Sequence, residues 1–408
     1  LEMPCDWILS IVNVRILPEN VLAHPSRGVI NFHDGPLPRY AGLYAPTRAL
    51  LDGESEHGVT WHLVDSGIDT GDLLVSESVP VEAADTSLSL QLRCVEAGCA
   101  SFERLMPLLR REQLEGRPQD SSQRTVFGHR NWSRQGIETD WMASRESTLR
   151  VVRGHNFGPH ANYVGRSRFR IGGRWHALVD AEACGDASCA NVDAMPGATR
   201  MDDNGCLHVR CGDGCVVVLK SDPPVSVATM SSVEVWTPEQ LKVTEAWDRS
   251  RFRHEMEWRS RLTAADSVAP FEQAGLPVDE RRVVLGSSDA DLACGLLAYQ
   301  AMYGCGAIEF SLAWCRADLD ADLAEGVDPS VVDLLCPLAP VRFALEPATR
   351  LGEAVNGIFE AIGEARRRGP FLRDLLDRDA AHQGSLSDPV NLPVRLFEGK
   401  ADVTVGAP

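Results

Sequence analysis

Residues 31–42 read NFHDGPLPRYAG and put an amide, an imidazole and a carboxylate within four positions, Asn31, His33 and Asp34. These residue types carry proton transfer and hydrogen bonding, the work of acid/base catalysis. A second stretch, DSGIDTGD (65–72), holds Asp65, Asp69 and Asp72 together with two glycines. The residues alone leave two readings open at each place. His33 is either a structural histidine satisfied by a backbone group or part of an active site. The Asp-rich stretch is either a solvated turn, since Asp and Gly are turn residues, or a loop that delivers a carboxylate beside the first site.

Asn31 and His33 close an apolar run, GVINFH (28–33), that reads as a strand. Residues two apart on a strand point the same way, and functional groups in α/β sheets collect at the carboxyl ends of strands. GPLPRYAG leaves that strand as a stiff loop, because each proline fixes its own φ and restricts its neighbour. Around this pair, DWILSIV (6–12) reads as a strand followed by a short helix ending near His24. APTRALLDGE (45–54) reads as a helix that stops at Gly53, and GVTWHLVD (58–65) and DLLVSESVPV (72–81) as strands. Asp85 and Thr86 offer an N-cap to a long amphipathic helix. Its stripe of Leu88, Leu92, Val95, Cys99, Phe102, Leu105 and Leu109 is expected to face a core. Strands alternating with helices predict an α/β layer. After a polar connection, short strands broken by DDNG (202–205) and GDG (212–214) predict a small barrel-like β domain ending near residue 245. The remainder turns helical again, with LGEAVNGIFEAIGEARRRG (351–369) spaced as a helix.

NFHDGPLPRYAG, followed after the short helix by HGVTWHLVDSGIDTGDLL (57–74), resembles the folate-dependent formyltransferase family, whose pattern is Asn-x-His, a Leu-Pro-x-Tyr/Trp-x-Gly loop, Gly-Val-Thr and Asp-x-Gly-Asp. The resemblance implies a catalytic trio of Asn31, His33 and Asp69. It implies 10-formyltetrahydrofolate as formyl-donating co-substrate, and no metal. In such a reaction an amine attacks the formyl carbon. Asn31 and a protonated His33 would stabilise the oxyanion, His33 would move the protons, and Asp69 would orient and charge-stabilise His33. Asp72 is expected to brace its loop. SIVNVRILPE (10–19) is similar to the family segment lining the pterin pocket, so the backbone of Val14, Arg15, Ile16 and Leu17 is expected to bind the cofactor, with Asp65 in the same set. His57, His62, His155 and His160 are read as structural or connector residues. The implied fold is α/β: a Rossmann-like formyltransferase sheet whose N-terminal half is absent from these residues and is expected to precede them in the natural protein.

MPGATRMDDNGCLHVRCGDGCVVVLK (195–220) resembles the C-terminal, OB-like β-barrel of tRNA-acting family members. Residues 191–245 hold four basic side chains (Arg200, Arg210, Lys220, Lys242) and eight acidic ones, a balance wrong for gripping an RNA backbone, and the whole chain carries −18. The DGPLP form of the loop resembles formyltransferase domains fused to nonribosomal peptide synthetases. LLCPLAPVRFALEPATRLGEAVNGIFEAIGEARRRGPFLRDLLDRD (334–379) weakly resembles the C-terminal lobe of a condensation domain without its HHxxxDG motif, which implies docking or spacing. The expected division is 1–128 catalytic, 129–245 β-barrel and 246–408 condensation-like.

The expected function is N-formylation of an amino acid or carrier-bound aminoacyl amine in natural-product assembly. A peptidyl carrier protein or adenylation domain would be the partner, with neither nucleic acid nor membrane. The alternatives are a free small amine such as an amino sugar or ornithine-like precursor, and an inactive docking scaffold. Twelve cysteines without CxxC spacing read as reduced thiols of a cytoplasmic protein. No run of about 18 apolar residues predicts a membrane span.

Overall fold

The computed structural model describes residues 3–13, 16–111, 114–128, 138–160, 162, 164–185, 195–226, 231–252, 254, 255, 257–260, 308–315, 323–336, 338–345, 349–369, 371, 375 and 395–397. The chain divides into two compact units, residues 1–159 with 166–241, and residues 160–165 with 242–408.

Alternating apolar residues build the first sheet of the first unit. Strands β1 (Trp7–Ile11) and β2 (Gly28–His33) pair in parallel, with helix α1 (Glu19–Leu22) between them in sequence. After a two-residue strand β3 (Ala41–Gly42) and helix α2 (Ala45–Asp52), β4 (Glu56–Leu63) pairs antiparallel with β2, and β5 (Leu73–Pro80) antiparallel with β4. The sheet order is β1-β2-β4-β5. Strand β6 (Val126–Phe127) pairs in parallel with β3 and holds the end of the proline loop.

Helix α3 (Ser87–Leu109) covers one face of this sheet. Thr86 caps it as expected, its side chain accepting from Ser89 N while Ser89 Oγ accepts from Thr86 N. The expected apolar stripe is buried only in its second half, where Leu105 is in the core and Phe102 and Leu109 pack against it; Leu92, Val95 and Cys99 are exposed. The helix buries Ser87, Leu90, Cys94, Gly98, Ser101 and Leu105, while Leu92 and Val95 are 55% and 44% exposed. The sheet explains the difference. Phe32 and Trp61 pack against each other with ring centres 5.0 Å apart and tilted by 49°, and fill the space beneath the helix, so the helix must offer small residues there. Trp61 Nε1 donates to Ser101 Oγ at 3.0 Å.

Helix α4 (Arg145–Gly154) opens the second layer of the unit and packs on a five-stranded antiparallel sheet of order β7-β8-β11-β10-β9. Its strands are β7 (Ser167–Ile171), β8 (Arg174–Ala183), β9 (Thr199–Met201), β10 (Leu207–Arg210) and β11 (Cys215–Asp222). Trp141, Phe169, Ile171, Val209 and Val216 form its core. The two layers touch directly, Ser87 Oγ donating to Gly154 O at 2.6 Å.

Helix α5 (Pro238–Phe252) contains the boundary between the units. The second unit holds β12 (Ile308–Cys315), β13 (Leu338–Leu345), α6 (Leu351–Arg368) and β14 (Arg395–Phe397), with sheet order β13-β12-β14. Helix α6 buries Ala354, Ile358, Ala361 and Ala365, the three- and four-residue spacing its sequence predicts. The fold is mixed α/β.

A Cβ on Gly98 would stand 2.6 Å from the Phe32 ring. Gly98→Ala should therefore destabilise the protein by about 1–3 kcal/mol through overpacking, although alanine is the better helix former. The midpoint of urea unfolding measures this, and a raised midpoint would count against the close packing.

Candidate active site

Two strand registers assemble the polar face. Asn31 lies opposite His62, and His33 opposite Thr60, on β2 and β4. Opposed residues of an antiparallel pair share a face, so these four side chains project away from α3 while Phe32 and Trp61 project toward it. Asn31 Nδ2 lies 3.3 Å from His62 Nε2, and His62 Nδ1 donates to Leu63 O at 2.7 Å. His33 Nε2 donates to Tyr40 O at 2.8 Å, which turns Nδ1 toward Asp69 Oδ2 at 3.6 Å. The other oxygen, Asp69 Oδ1, lies 3.5 Å from His62 Nε2. One carboxylate thus stands between two imidazoles, with one oxygen toward each.

The loops hold this arrangement. Asp69 has φ +49°, a left-handed conformation that costs a non-glycine residue roughly 1–3 kcal/mol. Its carbonyl accepts from Gln119 Nε2 at 2.9 Å and from Arg124 at 3.1 Å, and Gln119 Nε2 also reaches Gly71 O at 2.7 Å. The N–H of Gly42 donates to Asp69 Oδ2 at 2.7 Å. Gly42 takes φ +96°, and a Cβ there would meet Phe127 O at 2.0 Å, so no other residue can present this N–H. In the proline loop Thr60 Oγ1 donates to Gly35 O at 2.8 Å and accepts from Leu37 N at 3.2 Å. Gly35 lets the loop pass over His33, since a Cβ there would fall 2.6 Å from Nε2. Tyr40 anchors the loop end through its hydroxyl, which donates to Glu54 Oε1 at 2.8 Å.

Burial opposes the charge on Asp69. The hydrogen bond with His62, the nearby His33 and the Gly42 N–H outweigh it and hold the carboxyl down at about 2. Asp69 is thus an ionised carboxylate in a sheltered setting, 15% exposed, beside a 5% exposed His33. His57, read as structural, donates from Nε2 to Asp34 O at 2.8 Å, and burial pushes its pKa down.

Asn31, His33 and Asp69 come together through this network. Val14 and Arg15 lie outside the described residues; Ile16 is 86% exposed and Leu17 half-buried. Asp65 is engaged in its own turn, its Oδ1 accepting from Gly67 N at 3.0 Å and from Thr70 Oγ1. Asp72 braces its loop through its backbone, its carbonyl accepting from Leu63 N at 2.9 Å. His62, read from sequence as structural, is placed by the antiparallel register against Asn31 and Asp69. Its position two residues after Thr60 on an alternating strand was the available signal. Gln119 and Arg124 were missed in the polar connection, where no sequence pattern marks them.

Asp69 gives a pH prediction with a defined sign. Its folded-state pKa of about 2 lies below the ordinary 3.8. Its contribution is complete above the unfolded value and is lost as pH falls through the folded one. Between about pH 4 and pH 2 the parent should lose about 2 kcal/mol more stability than Asp69→Asn, as read by urea unfolding at each pH.

Comparison with known proteins extends the geometry. Residues 2–105 match the family described as formyl transferase. Methionyl-tRNA formyltransferase of Marinobacter nauticus is 31% identical over 52% of this chain and 65% of its own length. That of Hydrogenovibrio crunogenus is 30% identical over 54% of this chain and 67% of its own length. The chain therefore spans about two thirds of these relatives. HypX from Aquifex aeolicus, solved with tetrahydrofolic acid, aligns over 53% of this chain and 35% of its own, with TM-score 0.39 and 19% identity. An N-formyltransferase from Helicobacter canadensis, solved with folinic acid and dTDP-3-aminofucose, aligns over 46% of this chain and 65% of its own, with TM-score 0.37 and 17% identity. On the sequence matches, together with the Asn31, His33 and Asp69 constellation, this chain belongs to the formyl transferase family.

Proposed function

We propose that the protein transfers a formyl group from 10-formyltetrahydrofolate to a primary amine. The observation that carries this reading is the Asp69 carboxylate set between His33 and His62, with Asn31 tied to His62. The donor set suits an N–H-rich, folate-type ligand: Gln119 Oε1 is buried beside the Asp69 loop with no partner among the described residues, an acceptor left for a donor. The folate, when bound, supplies an electrophilic formyl carbon. Because Nε2 of His33 is committed to Tyr40 O, its Nδ1 takes the proton shed by the attacking amine and returns it to the leaving nitrogen. Asp69 holds the imidazolium formed in between. Asn31, oriented by His62, directs its amide toward the negative charge developing on the formyl oxygen. The segment around Val14 to Leu17, with Asp65 nearby in sequence, is the proposed pterin-binding stretch.

The proposed acceptor is an amino acid or carrier-bound aminoacyl amine of a peptide assembly line. The acidic balance of residues 191–245 and the DGPLP loop support it. In this reading residues 1–128 are catalytic, 129–245 form an OB-like barrel and 246–408 a condensation-like docking lobe. A free small amine remains the competing acceptor, and the relatives' name makes methionyl-tRNA a further arm of the same assay.

Transfer of isotope-labelled formyl to free amines, carrier-loaded aminoacyl groups and methionyl-tRNA tests the reading. His33→Ala should lower kcat by about 10²–10⁴ and Asn31→Ala by about 10²–10³, with folate binding retained in a titration. Transfer to none of the acceptors would favour the inactive scaffold. His62→Leu should lower kcat by about 10² through misplacement of Asn31; an unchanged kcat would return His62 to a structural role.

A further inference from the structure

A second nucleophile–base–carboxylate chain lies in the five-stranded sheet, outside the formyl-transfer site. Cys184 follows β8, His208 sits on β10, and Asp202 begins the turn after β9. Cys184 Sγ lies 3.3 Å from His208 Nδ1, and His208 Nε2 lies 3.1 Å from Asp202 Oδ2. Asp202 is itself held: its Oδ1 accepts from the N–H of Asn204 at 2.9 Å and of Cys206 at 2.8 Å, which aims Oδ2 at the imidazole. A carboxylate on Nε2 fixes the proton there, so the Nδ1 lone pair faces the sulfur and can take its proton. The sulfur also lies 3.4 Å from Gly185 O. Cys184 and His208 are each 3% exposed, and Cys206 and Cys215 pack in the same cluster. Two other buried thiols, Cys94 and Cys211, are pushed up by burial, to about 12 and about 11.

We propose that Cys184, His208 and Asp202 form a peroxide-reactive thiol site, separate from formyl transfer. His208 takes the thiol proton and the thiolate attacks hydrogen peroxide. An S–O bond forms as the O–O bond breaks. The departing hydroxide collects the proton from the imidazolium and leaves as water. The sulfur is oxidised by two electrons to a sulfenic acid and the peroxide is reduced. At 3% exposure the sulfur is closed to bulky or charged oxidants, which leaves a small uncharged one such as hydrogen peroxide. Cys184 is the reacting residue; His208 and Asp202 act through it, as base and positioning residue.

The test treats the full chain with limiting hydrogen peroxide, traps sulfenic acid with a 1,3-dione and maps every cysteine by mass spectrometry. Cys184, recovered as the dione adduct or as a disulfide to Cys206 or Cys215, should be oxidised at least tenfold faster than Cys211. His208→Gln should bring Cys184 down to the Cys211 rate. Asp202→Asn, in an exposed turn, should slow it several-fold while the thermal melt stays unchanged, and should displace the pH profile of the oxidation rate, which loss of packing alone would not do. If His208→Gln does not fold, the Cys184-to-Cys211 ratio and Asp202→Asn still decide. Oxidation of Cys184 no faster than Cys211 in the parent, or unaffected by Asp202→Asn, would overturn the proposal.

Discussion

Asp69 carries a charge that burial opposes, and the polar half of the first unit is arranged to keep it ionised. A sheltered carboxylate survives only with donors on its oxygens. His62 stands by one oxygen, and His33 and the Gly42 N–H by the other, each brought by a different element. The left-handed backbone at Asp69 is the consequence, because that conformation turns the carboxylate back toward β2 and β4 instead of out to solvent. Gln119 and Arg124 hold the backbone from behind by binding its carbonyls. The proline loop contributes the Tyr40 carbonyl that selects which nitrogen of His33 meets the carboxylate.

The opposite face of the same strands is governed by volume. Phe32 and Trp61 alternate with the polar residues and need a helix that can come close. Cys94, Gly98 and Ser101 make that approach possible, and the Ser101 hydroxyl satisfies the indole N–H. Loss of that packing would shift β2 against β4, and with it the register that places Asn31 opposite His62. The site geometry and the core are therefore coupled through two strands whose side chains alternate between them.

Much of this was legible beforehand. The two-residue spacing of Asn31 and His33 put both on one strand face, and Asp-rich turn chemistry placed Asp69 in a loop between strands. Thr86 was readable as a cap because capping chemistry is local. The buried face in the first half of α3 was not readable, since Leu92 and Val95 outscore Cys94 and Gly98 in hydrophobicity, while Phe102, Leu105 and Leu109 of the expected stripe do meet the core. Which stripe is buried depends on the shape of the sheet it meets. Ile16, whose backbone is expected near the cofactor, has an exposed side chain, and Asp65 holds its own turn.

The sequence by itself determined the elements, their caps and turns, and the residue types gathered for proton transfer, because these follow from neighbours within a few positions along the chain. Only the tertiary structure decided that His62 joins the site, that Gln119 and Arg124 hold the Asp69 loop, and that Cys184, His208 and Asp202 form a second chain of proton-sharing groups. Those residues lie between 24 and 56 positions from some of their partners. Strand register and loop closure bring them together, and neither leaves a mark in the local pattern of residues.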